Sequence, residues 1–308
     1  MAEAARGIVD AWAQPALKEG LAQLPEVVQL FKRSGSSSML DQDIGPARMI
    51  ELMDAAGIET AILAAWHRPG KWVFTNDTVA EFVRHDPRRF VGLAAVDLER
   101  PVQAVRELAR AIRELGFKGL RVVPWLWNRP PNDRHYYPLY VKCIELDIPF
   151  CTQVGQTGPL MPSEPGRPIP YLDEVALTFP ELRIVAGHIG YPWTDEMLGL
   201  ATKHENVFID TSAHLPRYYP PQLVHFMRTY GRSKVLFGTN FPHLSFQKCV
   251  EQVIALDLPE DVARAFLTDD LLRPRLCERL RNHELSIALE RTGGRRRSGR
   301  IGSAAGSP

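Results

Sequence analysis

The chain alternates short, uninterrupted apolar runs with longer amphipathic segments, and this alternation restricts its fold more than any other feature. The apolar runs are "GIVDAW", "TAILAAW", "FVGLAAVD", "GLRVVPW", "PFCTQV", "RIVAGHIG", "VFIDTS" and "KVLFGTN". Such runs are typical of parallel strands that are buried on both faces. Between them, segments such as "AVRELARAIREL" carry Val105, Leu108 and Ile112 at helical spacing. Eight strands separated by helices predict an α/β domain, a (β/α)8 TIM barrel, over residues 1–285.

Two long segments interrupt this regularity. They cover residues 15–45, after the first predicted strand, and residues 155–171, after the fifth. Because the loops that follow barrel strands form the active-site face of such enzymes, we expect both segments to lie over the barrel mouth. Residues 286–308 are basic and rich in Gly, Arg and Ser, with no apolar pattern. This composition predicts a disordered tail.

Charge and composition exclude several classes of function. The net charge of +1 is atypical of a nucleic-acid-binding protein, so no nucleic-acid partner is expected. The four cysteines form no CxxC pair, which excludes a zinc knuckle and a thioredoxin-like motif. No apolar run approaches the ~18 residues of a membrane span, and the first residues lack the apolar core of a secretory leader. A cytoplasmic protein with no membrane partner is therefore expected.

Five motifs occur in an order that resembles a known family. They are "VDAWAQP", "NDTVAEFVRHDPRRFVGLAAVD", "FPELRIVAGHIGYPW", "NVFIDTSA" and "VLFGTNFPH". Together they resemble the amidohydrolase-related TIM-barrel family, which includes aminocarboxymuconate-semialdehyde decarboxylase and resorcylate decarboxylase. The resemblance covers about residues 7–275 and implies an amidohydrolase-like barrel. It also implies a metal site built from an HxH pair on strand one, a histidine ending strand five and an aspartate ending strand eight, beside a catalytic histidine ending strand six.

Only one of these family positions keeps its residue. The resemblance places Trp12 and Gln14 at the HxH positions, Gln153 at the strand-five position and Asn240 at the strand-eight position. Carboxamide oxygens are weak metal ligands, and an indole has no available lone pair. The usual zinc cage is therefore expected to be absent. His188, in "AGHIG", matches the catalytic histidine, so His188 and the three amides become the candidate catalytic residues.

Other side chains near the predicted strand ends suggest a rebuilt metal site. His67, His214 and His243 follow strands two, seven and eight, and Asp210 ends strand seven. With His188 they would form a site of nitrogen and oxygen donors, which suits iron or manganese better than a thiolate site would. We therefore expect these five residues to bind iron, as two ions per chain, with zinc or manganese as the alternative metals.

The lost hydrolase ligands suggest a second resemblance, to a branch of amidohydrolase-like barrels that act as nonheme diiron monooxygenases. The hydroxylase of platensimycin and platencin diterpenoid biosynthesis typifies this branch. The resemblance implies dioxygen and a bulky, CoA-linked terpenoid-type substrate as partners. Trp12, Trp125, Trp127 and Arg217 are the expected substrate-binding residues, because aromatic side chains line apolar pockets and arginines bind phosphates. Arg121 is another candidate for the phosphates of coenzyme A.

Three functions thus remain open, and the first is the expected one. It is an iron-dependent monooxygenase, for which iron content and oxygen-dependent turnover would be diagnostic. The alternative is a metal-dependent hydrolase or decarboxylase of the amidohydrolase superfamily that uses His188 as its acid–base group. The third is a ligand-binding barrel without catalysis. Relatives of this barrel often form dimers, which makes a homodimer a candidate assembly.

Overall fold

The computed structural model describes residues 7–268, and eight parallel strands form a barrel at its centre. The strands of the chain are β1 (Ile8–Ala13), β2 (Ile58–Ala64), β3 (Trp66–Arg68), β4 (Lys71–Phe74), β5 (Phe90–Ala94), β6 (Gly119–Val122), β7 (Phe150–Gln153), β8 (Ile184–Gly187), β9 (Val207–Asp210) and β10 (Val235–Leu236). The barrel strands follow the order β1-β2-β5-β6-β7-β8-β9-β10. Ala11 N donates to Phe237 O over 2.8 Å and Asn240 N donates to Trp12 O over 2.8 Å, which closes the barrel between its first and last strands. The predicted (β/α)8 barrel is confirmed.

Burial on both faces explains the composition of these strands. Every residue of β1, β6, β7 and β8 is buried, and these strands consist mainly of aliphatic and small residues. One face of each strand packs inside the barrel and the other packs against the surrounding helices, so polar and apolar residues do not alternate as they would in a half-exposed strand. The few polar side chains inside the barrel are therefore exceptions that need a role.

The helices form the outer layer of the barrel. They are α1 (Lys18–Ala22), α2 (Pro25–Arg33), α3 (Pro46–Ala56), α4 (Asn76–His85), α5 (Pro101–Arg113), α6 (Pro124–Trp127), α7 (Tyr137–Glu145), α8 (Asp173–Thr178), α9 (Thr194–Lys203), α10 (Pro221–Arg228), α11 (Phe246–Ile254) and α12 (Glu260–Leu267). In α5, Pro101 begins the helix and Leu108 lies on its buried face, as helical spacing predicts. None of the helices between residues 7 and 268 has the length and apolar character that crossing a bilayer requires.

The segment at residues 15–45 contains α1 and α2 and lies against the loop formed by residues 155–171. Arg33 Nη2 of α2 donates to Gly158 O over 2.7 Å, which joins the two segments. Ser36 Oγ donates to His243 O over 3.0 Å, which anchors the end of the first segment to the loop after β10. Residues 269–285, the last part of the predicted domain, and the predicted tail at 286–308 lie outside the described residues.

The antiparallel hairpin of β3 and β4 has no counterpart in the sequence-based prediction. It begins directly after β2, and Pro69 and Gly70 form its turn. A Pro-Gly pair between apolar residues is a turn pattern that could have identified it. The hairpin matters for function because it carries His67 on its first strand.

Candidate functional site

A cavity of about 310 Å³ opens at the carboxyl ends of the barrel strands. The strand ends supply its polar floor, and α2 and the loop after β7 supply apolar side chains and backbone above it. The residues used below that line the cavity are Trp12, Gln14, Phe31, Trp125, Gln153, Gln156, His188, His214, Asn240 and His243. No Asp, Glu, Lys or Arg is among the described residues of its wall. The cavity therefore combines aromatic surface with neutral polar groups.

His188 directly follows β8, and hydrogen bonds fix the orientation of its ring. Nδ1 of His188 lies 2.7 Å from Ser212 Oγ, and Ser212 Oγ donates in turn to Asp210 Oδ1. The backbone of His188 has a φ of +75°, in the left-handed region that non-glycine residues rarely adopt. Such strain persists only where the surrounding structure holds it, and it is common at functional sites. His188 therefore presents Nε2 to the cavity from a fixed position.

The three cavity histidines are neutral at pH 7. Burial lowers the pKa of His188 well below its usual value, and the nearby His214 and Arg121 lower it further. Burial also lowers the pKa of His214, and it lowers the pKa of His243 to about 4. Neutral imidazole can accept a proton, so His188 is suited to begin a reaction as a base and continue it as an acid.

The three amides predicted as catalytic residues are held by hydrogen bonds. Gln14 Nε2 donates to Asn240 Oδ1 over 3.0 Å and to Asn240 O over 3.3 Å. Gln153 Nε2 donates to the backbone oxygens of its own loop, and the shortest of these bonds, to Gly155 O, measures 3.1 Å. All three amides line the cavity, but only Gln14 and Asn240 are hydrogen-bonded to each other.

A charged cluster that the sequence analysis missed lies below this floor. Arg121 on β6 is only 2% exposed, and its Nη2 donates to Ala13 O over 3.0 Å and to Gln14 Oε1 over 3.2 Å. Burial lowers the pKa of Arg121 to about 9, so the guanidinium is charged at neutral pH. Burial raises the pKa of Asp10 to about 6 and that of Asp210 to about 7. A charged residue inside an apolar strand run, as in "GLRVV", was the available indication.

Trp12 fills the space above Arg121. Its side chain is 2% exposed, and the guanidinium carbon of Arg121 lies 4.4 Å from its ring centroid. The centroids of the Trp12 and His188 rings are 5.1 Å apart. A Cβ atom added at Gly187 would lie 2.6 Å from the indole, so the absence of a side chain there lets the ring approach β8. The indole thus occupies the part of the cavity floor between β1 and β8.

The structure does not bring the five predicted metal ligands together. His188, His214 and His243 line the cavity, whereas His67 lies on the β3–β4 hairpin with its ring stacked on Trp127 at 5.5 Å. Asp210 lies beneath the cavity, where it accepts hydrogen bonds from Ser212. Within residues 7–268 no three His, Cys, Asp or Glu residues are grouped so that they could hold a metal ion.

Only some of the predicted substrate-binding residues line the cavity. Trp12 and Trp125 line the cavity. Trp127 does not, because the short helix α6 turns it toward His67. Arg217 is exposed on the surface with its guanidinium over Tyr218, and Arg121 is buried under the cavity floor, so neither is placed to bind phosphates at the mouth.

Comparison with known proteins identifies the family. The model of the amidohydrolase family described as Amidohydro_2 matches residues 30–273. Gamma-resorcylate decarboxylase from Rhodococcus jostii is 26% identical over 284 residues, which cover 71% of this chain and 83% of that protein. This relative and others like it contradict the expected monooxygenase, because they are decarboxylases. An oxidoreductase activity in diterpenoid biosynthesis is wrong for the same reason, and nothing in these relatives supports iron, dioxygen or a CoA-linked substrate.

Solved structures share the fold. A TIM-barrel protein from Bordetella bronchiseptica, described as uncharacterised, has a TM-score of 0.74 at 22% identity and covers 88% of this chain and 98% of its own. Dihydroxybenzoic acid decarboxylase from Polaromonas sp. JS666, solved with manganese and the inhibitor 2-nitroresorcinol, has a TM-score of 0.61 at 22% identity. The match covers 85% of this chain and 94% of that one.

The residues of this chain do not fit the divalent metal ion of such relatives. Hard divalent ions need carboxylate or imidazole donors, and the four positions that the resemblance assigns to metal ligands hold Trp12, Gln14, Gln153 and Asn240. Gln14 already bonds through both ends of its amide. The donor set thus opposes a metal ion.

Proposed function

The chain belongs to the amidohydrolase family, and we propose that it is a decarboxylase of a hydroxylated aromatic acid that works without a divalent metal ion. The observation that carries the proposal is His188, held through Ser212 to Asp210 at the floor of an aromatic-walled cavity. The decarboxylases among its relatives supply the reaction class. The cavity volume of about 310 Å³ is within the usual range for small-molecule sites and accommodates a single substituted ring.

The proposed chemistry needs a group that first accepts and then returns a proton. The phenol proton of the substrate passes to Nε2 of the neutral His188 and then to the ring carbon that carries the carboxylate. The bond from that carbon to the carboxylate breaks, carbon dioxide leaves, and the electron pair returns to the ring as a phenolate. Protonation of the phenolate completes the turnover, so each carbon dioxide released consumes a proton from solvent.

The remaining residues would bind and orient the ring. Trp12 and Trp125 offer aromatic faces, while Gln153 and Asn240 offer amide groups to the hydroxyl and carboxylate oxygens. The loops above the floor reduce the access of water, which would otherwise compete for the proton on His188. Hydrolysis is the weaker candidate, because this donor set does not suit the metal ion that would lower the pKa of a bound water molecule to about 7.

The test is release of carbon dioxide from a panel of ortho-hydroxylated benzoates, including gamma-resorcylate, by chelator-treated protein. We expect turnover of at least one panel member, and we expect His188→Asn to lower kcat by about 10²–10⁴-fold with an unchanged thermal unfolding curve. His225→Asn is the matched control, since His225 is exposed on α10. Turnover of no panel member, or full activity in His188→Asn, would refute the proposal.

A further inference from the structure

We propose that Arg121, Gln14 and Asn240 form a hydrogen-bonded chain that binds an anionic substrate oxygen and so replaces the divalent metal ion of the related decarboxylases. The inference rests on the proposed function, because it assigns the group that would hold the phenolate oxygen. It assigns to Arg121 the role of a positioning residue that acts through two amides. Asn240 is the only one of the three that would contact the ligand.

The hydrogen-bonded chain begins with a buried guanidinium whose donors are incompletely used. Of the guanidinium nitrogens of Arg121, only Nη2 has a hydrogen bond, while Nε and Nη1 are buried without partners among the described residues. Asp10 and Asp210 are the carboxyls whose charge acts on Arg121. Its hydrogen bonds nevertheless go to neutral acceptors, Ala13 O and Gln14 Oε1, and not to either carboxylate. The bond to Gln14 therefore directs the polarity of the guanidinium toward the cavity.

Gln14 transmits this polarity to the cavity. Its Oε1 accepts from Arg121 over 3.2 Å, which fixes the orientation of the amide and turns Nε2 toward Asn240. Gln14 Nε2 then donates to Asn240 Oδ1 over 3.0 Å. Hydrogen bonds in such a chain polarise one another, and a charged donor strengthens the first of them. The amide of Gln14 is thus locked with its donor end away from the cation.

Asn240 ends the hydrogen-bonded chain with a donor that remains free. Because Oδ1 accepts from Gln14, the group left for a ligand is Nδ2, which has no hydrogen-bond partner within residues 7–268. The backbone holds Asn240 in place, since its N donates to Trp12 O over 2.8 Å and its φ is +68°. Asparagine tolerates this left-handed conformation better than most residues. A fixed donor of this kind suits an anionic oxygen.

The charge of Arg121 is felt inside the cavity. It contributes to the lowered pKa of His188, although the Trp12 indole lies between the guanidinium and the cavity. The cavity wall itself contains no charged side chain among the described residues. An anionic oxygen that binds there would therefore meet one oriented donor and one distant cation. A single phenolate oxygen beside His188 could accept from this one donor. The two oxygens of a carboxylate could not both do so.

The experiment measures the ionisation of a bound nitrophenol, which changes colour when it loses its proton. The probe is 2-nitroresorcinol with chelator-treated protein, followed by absorbance between pH 4 and pH 9. For the unaltered chain we expect binding to lower the pKa of the probe by about one unit, which corresponds to a tenfold preference for the phenolate. This readout needs no turnover, so it can succeed even if every benzoate of the panel fails.

Gln14→Glu is the decisive variant because it keeps the size of the side chain. A carboxylate at position 14 would pair with Arg121 and accept from Asn240, which would turn Asn240 Oδ1 toward the ligand. We expect the preference for the phenolate to disappear, with at least a tenfold loss of affinity for that form. Asn240→Asp, which removes the donor itself, should give the same result and provides a second variant if the first fails to fold.

Gln156→Glu is the matched control. Gln156 lines the cavity rim, so the substitution adds the same charge without contact to Arg121. Its effect on the probe should be clearly smaller than that of Gln14→Glu. Equal losses in the two variants would overturn the proposal, because they would indicate general repulsion. Failure of the probe to bind the unaltered chain, or to ionise more readily when bound, would also overturn it. A shift that appears only when Mn²⁺ is added would assign the role to a metal ion instead.

Discussion

The guanidinium carbon of Arg121 lies 4.4 Å from the centroid of the Trp12 indole, and both side chains are buried inside the barrel. A cation over an indole face is stabilised by the ring quadrupole, and the gain is larger where water is excluded. The resemblance to the family places Trp12 at a position that would hold a metal ligand. In the structure the indole covers the guanidinium of Arg121 instead.

Removal of this charge should destabilise the chain strongly at neutral pH. Arg121→Met removes the donor to Ala13 O and Gln14 Oε1 and leaves Asp10 and Asp210 buried without a nearby cation, and each buried polar group left without its partner costs about 1–3 kcal/mol. The loss should be smaller at pH 5, because both carboxyls can then be protonated. Urea denaturation at the two pH values measures both effects.

The control for this prediction is Arg217→Met, which removes an exposed arginine. Substitutions at such surface sites usually change stability by no more than about 0.5 kcal/mol. If Arg121→Met were as mild as Arg217→Met at pH 7, Arg121 would not be charged in the folded chain.

The close approach of Trp12 to β8 predicts a coupling between positions 12 and 187. In Gly187→Ala the new methyl group would lie 2.6 Å from the indole, and overpacking of this kind costs about 1–3 kcal/mol. In a Trp12→Ala background the same substitution should cost little, since the indole is gone. A double-mutant cycle of unfolding free energies measures this coupling.

Gly199→Ala is the control for the substitution at Gly187 in this double-mutant cycle. Gly199 lies in α9, and a Cβ atom added there would have no neighbour within 4 Å. Alanine in the middle of a helix should stabilise the chain by roughly 0.5–1 kcal/mol. Additive effects of Trp12→Ala and Gly187→Ala would show that the indole does not pack against β8.

The buried carboxyl of Asp210 should make stability depend on pH with a definite sign. Its folded-state pKa, about 7, is above the unfolded value near 3.8, so the folded chain binds more protons between pH 4 and pH 7. The stability that Asp210 contributes is therefore complete below about pH 4 and is lost as the pH rises through 7. Asp210→Asn removes this term.

The difference in unfolding free energy between the unaltered chain and Asp210→Asn, measured from pH 4 to pH 8, isolates this term. The cavity histidines, whose lowered pKa values act in the opposite direction, are present in both proteins and cancel to a first approximation. The difference should fall as the pH rises. A difference that stays constant would mean that Asp210 is ionised throughout, as an ordinary surface carboxylate would be.

Divalent metal ions should leave the stability of the chain unchanged. A ligand that binds the folded state at 100 times its Kd would add about 2.7 kcal/mol, which a thermal unfolding curve resolves easily. We expect no shift in Tm with Mn²⁺, Zn²⁺ or EDTA, and elemental analysis of the purified protein should find less than one metal ion per chain. One metal ion per chain together with a Tm that falls in EDTA would contradict the conclusion that these residues do not fit a divalent metal ion.

Several features were predictable because they depend on local pattern. Each barrel strand matches an apolar run, since burial on both faces leaves that composition. The position of His188 after β8 follows from the same pattern. The surroundings of His67 were not predictable in this way. The Pro69–Gly70 pair indicates the hairpin, but the stacking of His67 on Trp127 of α6 depends on tertiary packing.

The sequence alone determined the barrel, because burial on both faces gives each strand a continuous apolar run. The resemblance to the family added the prediction that positions 12, 14, 153 and 240 no longer hold metal ligands. The tertiary structure decided what replaced the metal site. Arg121 reaches Gln14 from 107 residues along the chain, and Gln14 meets Asn240 across 226 residues. Inward-facing side chains of separate strands come together only when the barrel closes. Local pattern therefore could not show that a buried cation, an indole and two amides would share one floor.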